Sequence, residues 1–274
     1  MSDEFVRVGP LKEIDSYPPW ARELVRLCQE SKSQVVEHEL FRRLRDGELD
    51  TAILHHFLIG VWPVIEQFPQ YMALNLLKIR YGRTRGQDMA RRYLVRNIRV
   101  EQSHAEHWVE WALASGVTRE DLMFSPVPVP MLALCHWCWH TCDRDTLVLG
   151  MAATNFAIEG ATGEWAVKVC SRDLYEQSFA PAERVRAMRW LKLHAQYDDA
   201  HPWEALEIIS TLLGNHPTER DFAHLHAVIC NSYDYMRMTL DYCLDASVLP
   251  PPREARFDGA PVLPQLQGRF AYLG

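Results

Sequence analysis

Apolar residues recur every three to four positions through most of this 274-residue chain. The pattern holds over 20–46, 51–82, 87–114, 146–170, 184–213 and 220–246, and it predicts amphipathic helices there. Turn-forming residues punctuate these stretches: Asp46-Gly47, Tyr81-Gly82, Gly116, the run Pro126, Pro128 and Pro130, and Gly214 to Pro217. No stretch alternates with period two long enough to predict a strand, and no repeat recurs at a fixed period. Each helix must bury its apolar stripe against another, so one all-α bundle over 1–246 is expected. Residues 247–274 are rich in Pro and Gly and show no period, which reads as a disordered or extended tail.

Charge and cysteine usage narrow the function classes. A net charge of −7 gives no footprint for nucleic acid, so the basic cluster near 91–99 reads as solvated helix face. Nowhere do 18 apolar residues run unbroken, so no membrane span is expected. No basic start precedes an apolar signal core. Seven cysteines, an odd count at spacings that suggest no disulfide framework, read as reduced thiols in a cytoplasmic protein.

Three helices carry polar residues on an otherwise apolar face. Around Glu101 the face is Ala90, Leu94, Asn97, Glu101, His104, Trp108 and Trp111. Around His194 it is Ala187, Leu191, His194, Asp198, His201, Ala205 and Ile208. The third face is Ala152, Asn155, Phe156, Glu159, Thr162, Gly163 and Ala166. An unpaired buried carboxylate is costly, so Glu159 in so apolar a segment needs a partner. The three faces together offer Glu101, His104, Glu159, His194, Asp198 and His201. Carboxylate-x-x-His pairs on two helices plus a further inward carboxylate follow the ligand logic of dinuclear iron bundles. Oxygen and imidazole donors suit iron or manganese.

Spacing favours two metals over one. His194 and His201 are seven residues apart, about 10.5 Å along a continuous helix. Imidazoles so separated could serve two ions about 4 Å apart. The expected grouping sets Glu101, His104 and His194 around one iron and Asp198 and His201 around the other, with Glu159 bridging or completing the second. Pro202 removes a backbone donor beside His201, so the helix should kink or restart there, with Pro202 in a first turn. The second metal is accordingly expected to be the weaker.

Other clusters carry less. Cys135, Cys138 and Cys142 share a helix face with no second pair to complete a zinc site, and His136 and His140 lie between them. His107 falls at the edge of the Glu101 face, and His55 and His56 point apart. Asp199 lies too far round the helix from His194 to compete with Asp198.

The segments "FLIGVWPVIEQF", "RNIRVEQSHAEHWVEW", "HWCWHT", "ATNFAIEGATGEW" and "LKLHAQYDDAHPWEALEII" resemble the undecene-forming medium-chain fatty-acid decarboxylases, a family of heme-oxygenase-like diiron oxidases. The resemblance runs from about Arg7 to Leu244 and implies a seven-helix heme-oxygenase-like bundle. It implies ferrous iron, two per chain, with dioxygen as co-substrate and Glu101, His104, Glu159, His194, Asp198 and His201 as ligands. Many members of the wider superfamily place their first histidine where Trp108 stands here, and His104 takes that role. The implied reaction turns a medium-chain fatty acid such as dodecanoic acid into a terminal alkene and carbon dioxide, by loss of a hydrogen from C3. It needs an external electron donor, since no flavin, NAD or iron–sulfur motif is present. Phe156, Trp108, Trp190 and Leu191 are candidate walls of the substrate channel, although buried side chains of this kind chiefly fill cores. Alternatives are another oxidase of the superfamily, a hydroxylase or N-oxygenase, and a metal-free thiaminase-like hydrolase.

Overall fold

A computed structural model describes residues 13–197 and 200–245, except for the side chain of Tyr197. The expected ligand Asp198, its neighbour Asp199 and the 247–274 tail lie outside the described residues. The described chain is helical throughout its regular structure and contains no strand.

The helices are α1 (Pro19–Val36), α2 (Glu39–Arg45), α3 (Thr51–Leu77), α4 (Arg85–Ala114), α5 (Arg119–Phe124) and α6 (Val129–Arg144). Then come α7 (Leu147–Met151), a π-helical stretch (Ala152–Ile158), α8 (Glu159–Val169), α9 (Leu174–Gln177), α10 (Arg184–Tyr197), α11 (His201–Leu213) and α12 (Glu219–Leu244). Side-chain caps explain several starts. Asp50 accepts from the Ala52 N–H, Thr84 from the Gln87 N–H, and Thr218 forms a reciprocal capping box with Asp221. Gly214 ends α11 with φ of 72°, a backbone conformation other residues rarely adopt.

Two expected helices are divided, and three helices, α5, α6 and α9, lie outside the expected stretches. The 20–46 stretch breaks at His38, whose Nδ1 accepts from the Leu40 N–H while Nε2 faces Asp241 at 3.0 Å. The 184–213 stretch divides into α10 and α11, with Pro202 in the first turn of α11 as its missing donor favours. Helix α6, which carries the cysteine triplet, is a further helix beyond the six stretches predicted from periodicity.

Helix α4 packs between α3 and α10, α8 against α10 and α1, and α12 against α1, α6 and the π-helical stretch. Phe57, Trp108, Trp111, Trp165 and Trp190 form a continuous aromatic block behind α4. Each such ring pair contributes about 0.5–1.5 kcal/mol beyond burial, which gives the interior a stiff wall. No described helix is long and apolar enough to cross a membrane.

Candidate metal centre

All seven residues of the Glu101 face are buried, as are Ala187, Leu191, His194, His201, Ala205 and Ile208 of the second. Of the third face only Thr162 is partly exposed. The three stripes therefore meet in the interior, and five of the six expected ligands are described. Glu101, His104, Glu159 and His194 are each about 5–6% exposed, and His201 is fully buried.

Ligand atoms of Glu101, Glu159 and His201 lie within 4.8 Å of one another. His201 Nδ1 is 2.8 Å from Glu159 Oε1, and His104 Nδ1 is 3.1 Å from Glu101 Oε2. The His104 and His194 rings are 4.6 Å apart between centroids. The His194 Nδ1–H donates to the Trp190 carbonyl at 2.8 Å, which leaves Nε2 as the atom able to ligate. This close group crosses the division expected from sequence. Glu101 joins Glu159 and His201 as well as neighbouring His104, so it stands as centrally as Glu159 does.

Local backbone sets this geometry. The Glu159 N–H reaches the Thr154 carbonyl five residues back, at the end of the π-helical stretch. Such insertions into α-helices often occur at functional sites. At the next position Gly160 lets α11 approach: a Cβ there would lie 3.1 Å from Pro202 Cβ. His201 precedes that proline, so this contact helps bring its ring to Glu159.

Two polar groups at the site were not singled out from sequence. Asn155 Nδ2 donates to Glu159 Oε2 at 2.9 Å. The Tyr93 hydroxyl lies 3.5 Å from the same oxygen and 3.4 Å from the His201 carbonyl. Asn155 belonged to the face read from spacing, and Tyr93, four residues before Asn97, extends the Glu101 stripe.

Charge distribution follows from burial and proximity. Burial works against a charged Glu101, yet His104, with His194 and His201 farther round, holds the carboxyl below its ordinary value. His104 is raised: burial opposes its cation, and Glu101 beside it prevails. Burial and the neighbouring His104 push His194 down to about 3, so its imidazole is neutral and available as a ligand. Burial, reinforced by Glu159 and Glu204, pushes the Tyr93 phenol up and keeps it a hydrogen-bond donor.

The cluster opens into a cavity of about 40 Å³ lined by Glu101, His104, Glu159 and His194 together with Val64, Ile65, Phe68 and Trp190. An apolar cavity of about 50 Å³ adjoins it and shares Val64, Ile65, Ile158, Thr162 and Trp190. Of the expected channel walls, Trp190 lines both cavities and Trp108 the apolar one. Phe156 and Leu191 are buried in the core and line neither. Their side chains fill space between helices instead. The walls contributed by α3 were missed.

The other histidine and cysteine clusters weighed from sequence have separate partners. Cys135 Sγ contacts Tyr71 and Gln67, while Cys142 contacts Asn75 and the Gly150 carbonyl. His136 and His140 are exposed on α6. His55 meets the Ser115 carbonyl at 2.7 Å.

The donor set fits iron. Carboxylate oxygens and imidazole nitrogens converge in a buried cavity with open space beside them, as a non-heme iron site requires. The sequence of a family described as iron-containing redox enzymes matches residues 55–231, which include these five residues. A TenA homologue from Pseudomonas syringae pv. tomato DC3000 is 55% identical, with 87% of this chain and 98% of that one covered and a TM-score of 0.83. A domain of heme-oxygenase-like fold from Shewanella denitrificans shares that fold at 15% identity, covering 81% of this chain and 90% of its own, with a TM-score of 0.64. A 4-aminobenzoate synthase from Chlamydia pneumoniae is 24% identical over 188 residues, covering 66% of this chain and 77% of its own. With the match across residues 55–231 and a buried carboxylate–imidazole cluster inside it, this all-helical, heme-oxygenase-like chain belongs to the iron-containing redox enzyme family.

Proposed function

We propose that this protein is a non-heme iron oxidase of an apolar carboxylic acid, and that it converts a medium-chain fatty acid to a terminal alkene and carbon dioxide. The observation that carries the reading is the shared wall between the ligand cluster and the apolar cavity. A carboxylate held at the cluster would direct its alkyl chain past Ile65, Ile158 and Trp190. Both cavities are narrow, so the chain would displace wall side chains as it enters.

In this reading Glu101, Glu159 and His201, with His104, His194 and Asp198, hold two ferrous ions. The metal would supply dioxygen activation, and the chain supplies ligands, orientation and exclusion of water. Asn155 fixes one oxygen of Glu159, and Tyr93 offers a proton-bearing hydroxyl toward it. Removing a C3 hydrogen and breaking C1–C2 withdraws two electrons from the acid, whereas reducing dioxygen to water takes four. An external donor therefore supplies the remaining two.

The test is to incubate the ferrous protein with dodecanoic acid, dioxygen and a reductant and assay the headspace for 1-undecene. Absence of alkene from acids of several lengths, with bound iron verified, would overturn the decarboxylase assignment.

A second oxidase reading is favoured by the 4-aminobenzoate synthase relative. In that reading the same cluster acts on another substrate, as a hydroxylase, N-oxygenase or aminobenzoate-forming enzyme, and mass spectrometry of aerobic reactions would reveal 4-aminobenzoate or an oxygenated product. A thiaminase-like hydrolase needs a nucleophile beside a base. Among the described residues that line the cavity at the cluster there is no thiol and a single hydroxyl, that of Thr162, which supports the oxidase readings over it.

A further inference from the structure

Helix α1 meets α12 through a second group of ligand-type side chains, remote in sequence from the carboxylate–imidazole cluster. Cys28 of α1 is 2% exposed, and His226 and Cys230, one turn apart on α12, are half-buried. Cys230 Sγ lies 3.9 Å from Cys28 Sγ and 3.5 Å from His226 Nε2, and all three ligand atoms fall within 4.8 Å of one another.

These separations carry chemical information. A tetrahedral ion about 2.3 Å from each sulfur and about 2.0 Å from the imidazole nitrogen sets a sulfur–sulfur edge of about 3.8 Å and a sulfur–nitrogen edge of about 3.5 Å. The observed sulfur–sulfur and sulfur–nitrogen separations are close to both.

The geometry points to Cys28, His226 and Cys230 as a second metal site, selective for a thiophilic ion of the zinc class and chemically distinct from the iron centre. Two thiolates and an imidazole suit a borderline-soft ion such as Zn²⁺, whereas the iron cluster offers oxygen and nitrogen donors alone. The half-buried side formed by His226 and Cys230 leaves the fourth position to water or a small external ligand. An ion here would pin α1 to α12, and α12 in turn packs on the π-helical stretch that ends at Glu159.

The test uses the full-length, iron-free, reduced protein titrated with Co²⁺ under anaerobic conditions. The expected result is an intense near-ultraviolet sulfur-to-cobalt band that saturates at one equivalent and is displaced by Zn²⁺. Only a thiolate site produces that band, so the iron cluster does not contribute to it. C28S/C230S should abolish the band, while C135S/C142S should keep it. His226→Ala guards against a cysteine variant that fails to fold. It should weaken cobalt binding by about tenfold or more with unchanged circular dichroism. A reduced wild-type protein without the band, or a band of full strength in folded C28S/C230S, would overturn the assignment. Loss of two thiols to a Cys28–Cys230 disulfide in air, with no cobalt band before oxidation, would overturn it equally.

Discussion

His201 Nδ1 lies 2.8 Å from Glu159 Oε1, although the two residues are 42 apart in sequence and start different helices. A carboxylate this deeply buried is tolerated because an imidazole, the Asn155 amide and the Tyr93 hydroxyl surround it. The same ring and carboxylate remain within ligand reach of Glu101.

Glu159→Gln should therefore lower iron affinity by about 10–100-fold while the bundle keeps its helical content. The amide preserves volume but removes the anionic donor, and losses of that order accompany even outer partners of a metal site. Iron per chain, measured after equilibration with a calibrated chelator, checks this. Full retention would remove Glu159 from the ligand set.

Gly160→Val should impair the same site without touching a ligand. Even a single Cβ at this position meets Pro202 Cβ at 3.1 Å, and the branched side chain would push α11 and its His201 away from Glu159. The expected outcome is a loss of iron affinity larger than the accompanying fall in melting temperature suggests. Pairing chelator competition with calorimetry on the iron-free protein separates the two effects.

Ile65→Trp should shorten the substrate range. Ile65 lines both cavities from α3, and an indole there blocks the passage between them. If an alkyl chain uses that passage, turnover of dodecanoic acid should fall about tenfold or more, with octanoic acid less affected and iron content unchanged. Overpacking is expected to cost about 1–3 kcal/mol of stability, so binding and turnover are compared below the melting temperature.

Asp46→Asn should flatten the acid limb of the stability curve. Arg45 hydrogen-bonds the Asp46 carboxylate in bidentate fashion, Arg172 adds a contact at 2.9 Å, and the carboxyl is held down to about 2. A depressed carboxyl contributes stability above its unfolded value near 3.8, and that contribution is lost as pH falls from there toward 2. Melting temperatures of the iron-free protein and the variant should converge across that window and differ most above it. Identical curves at pH 5 would show that Asp46 contributes nothing.

The ligand-bearing faces were legible because a polar residue inside an apolar stripe stands out at a spacing of three to four on α4 and α10, and a lone carboxylate stands out in the apolar segment around Glu159. Tyr93 lay on the α4 stripe and was passed over because a tyrosine resembles ordinary core. The α3 walls gave no such contrast. Helix α3 is apolar nearly all round, so spacing could not say which of Val64, Ile65 and Phe68 faces the cavity. The break at His38 carries no Gly or Pro, and depends on a cap whose ring is also held by Asp241, 203 residues away. The π-helical turn before Glu159 is likewise invisible to a period fixed at 3.6 residues.

By itself, the sequence determined the helical class, the inward faces and the chemical kind of donors those faces carry, because period and polarity are local properties. Tertiary packing alone decided which donors meet. Glu101 approaches Glu159 and His201, and Cys28 approaches His226 and Cys230, because helix crossings set distances between residues that no local spacing relates.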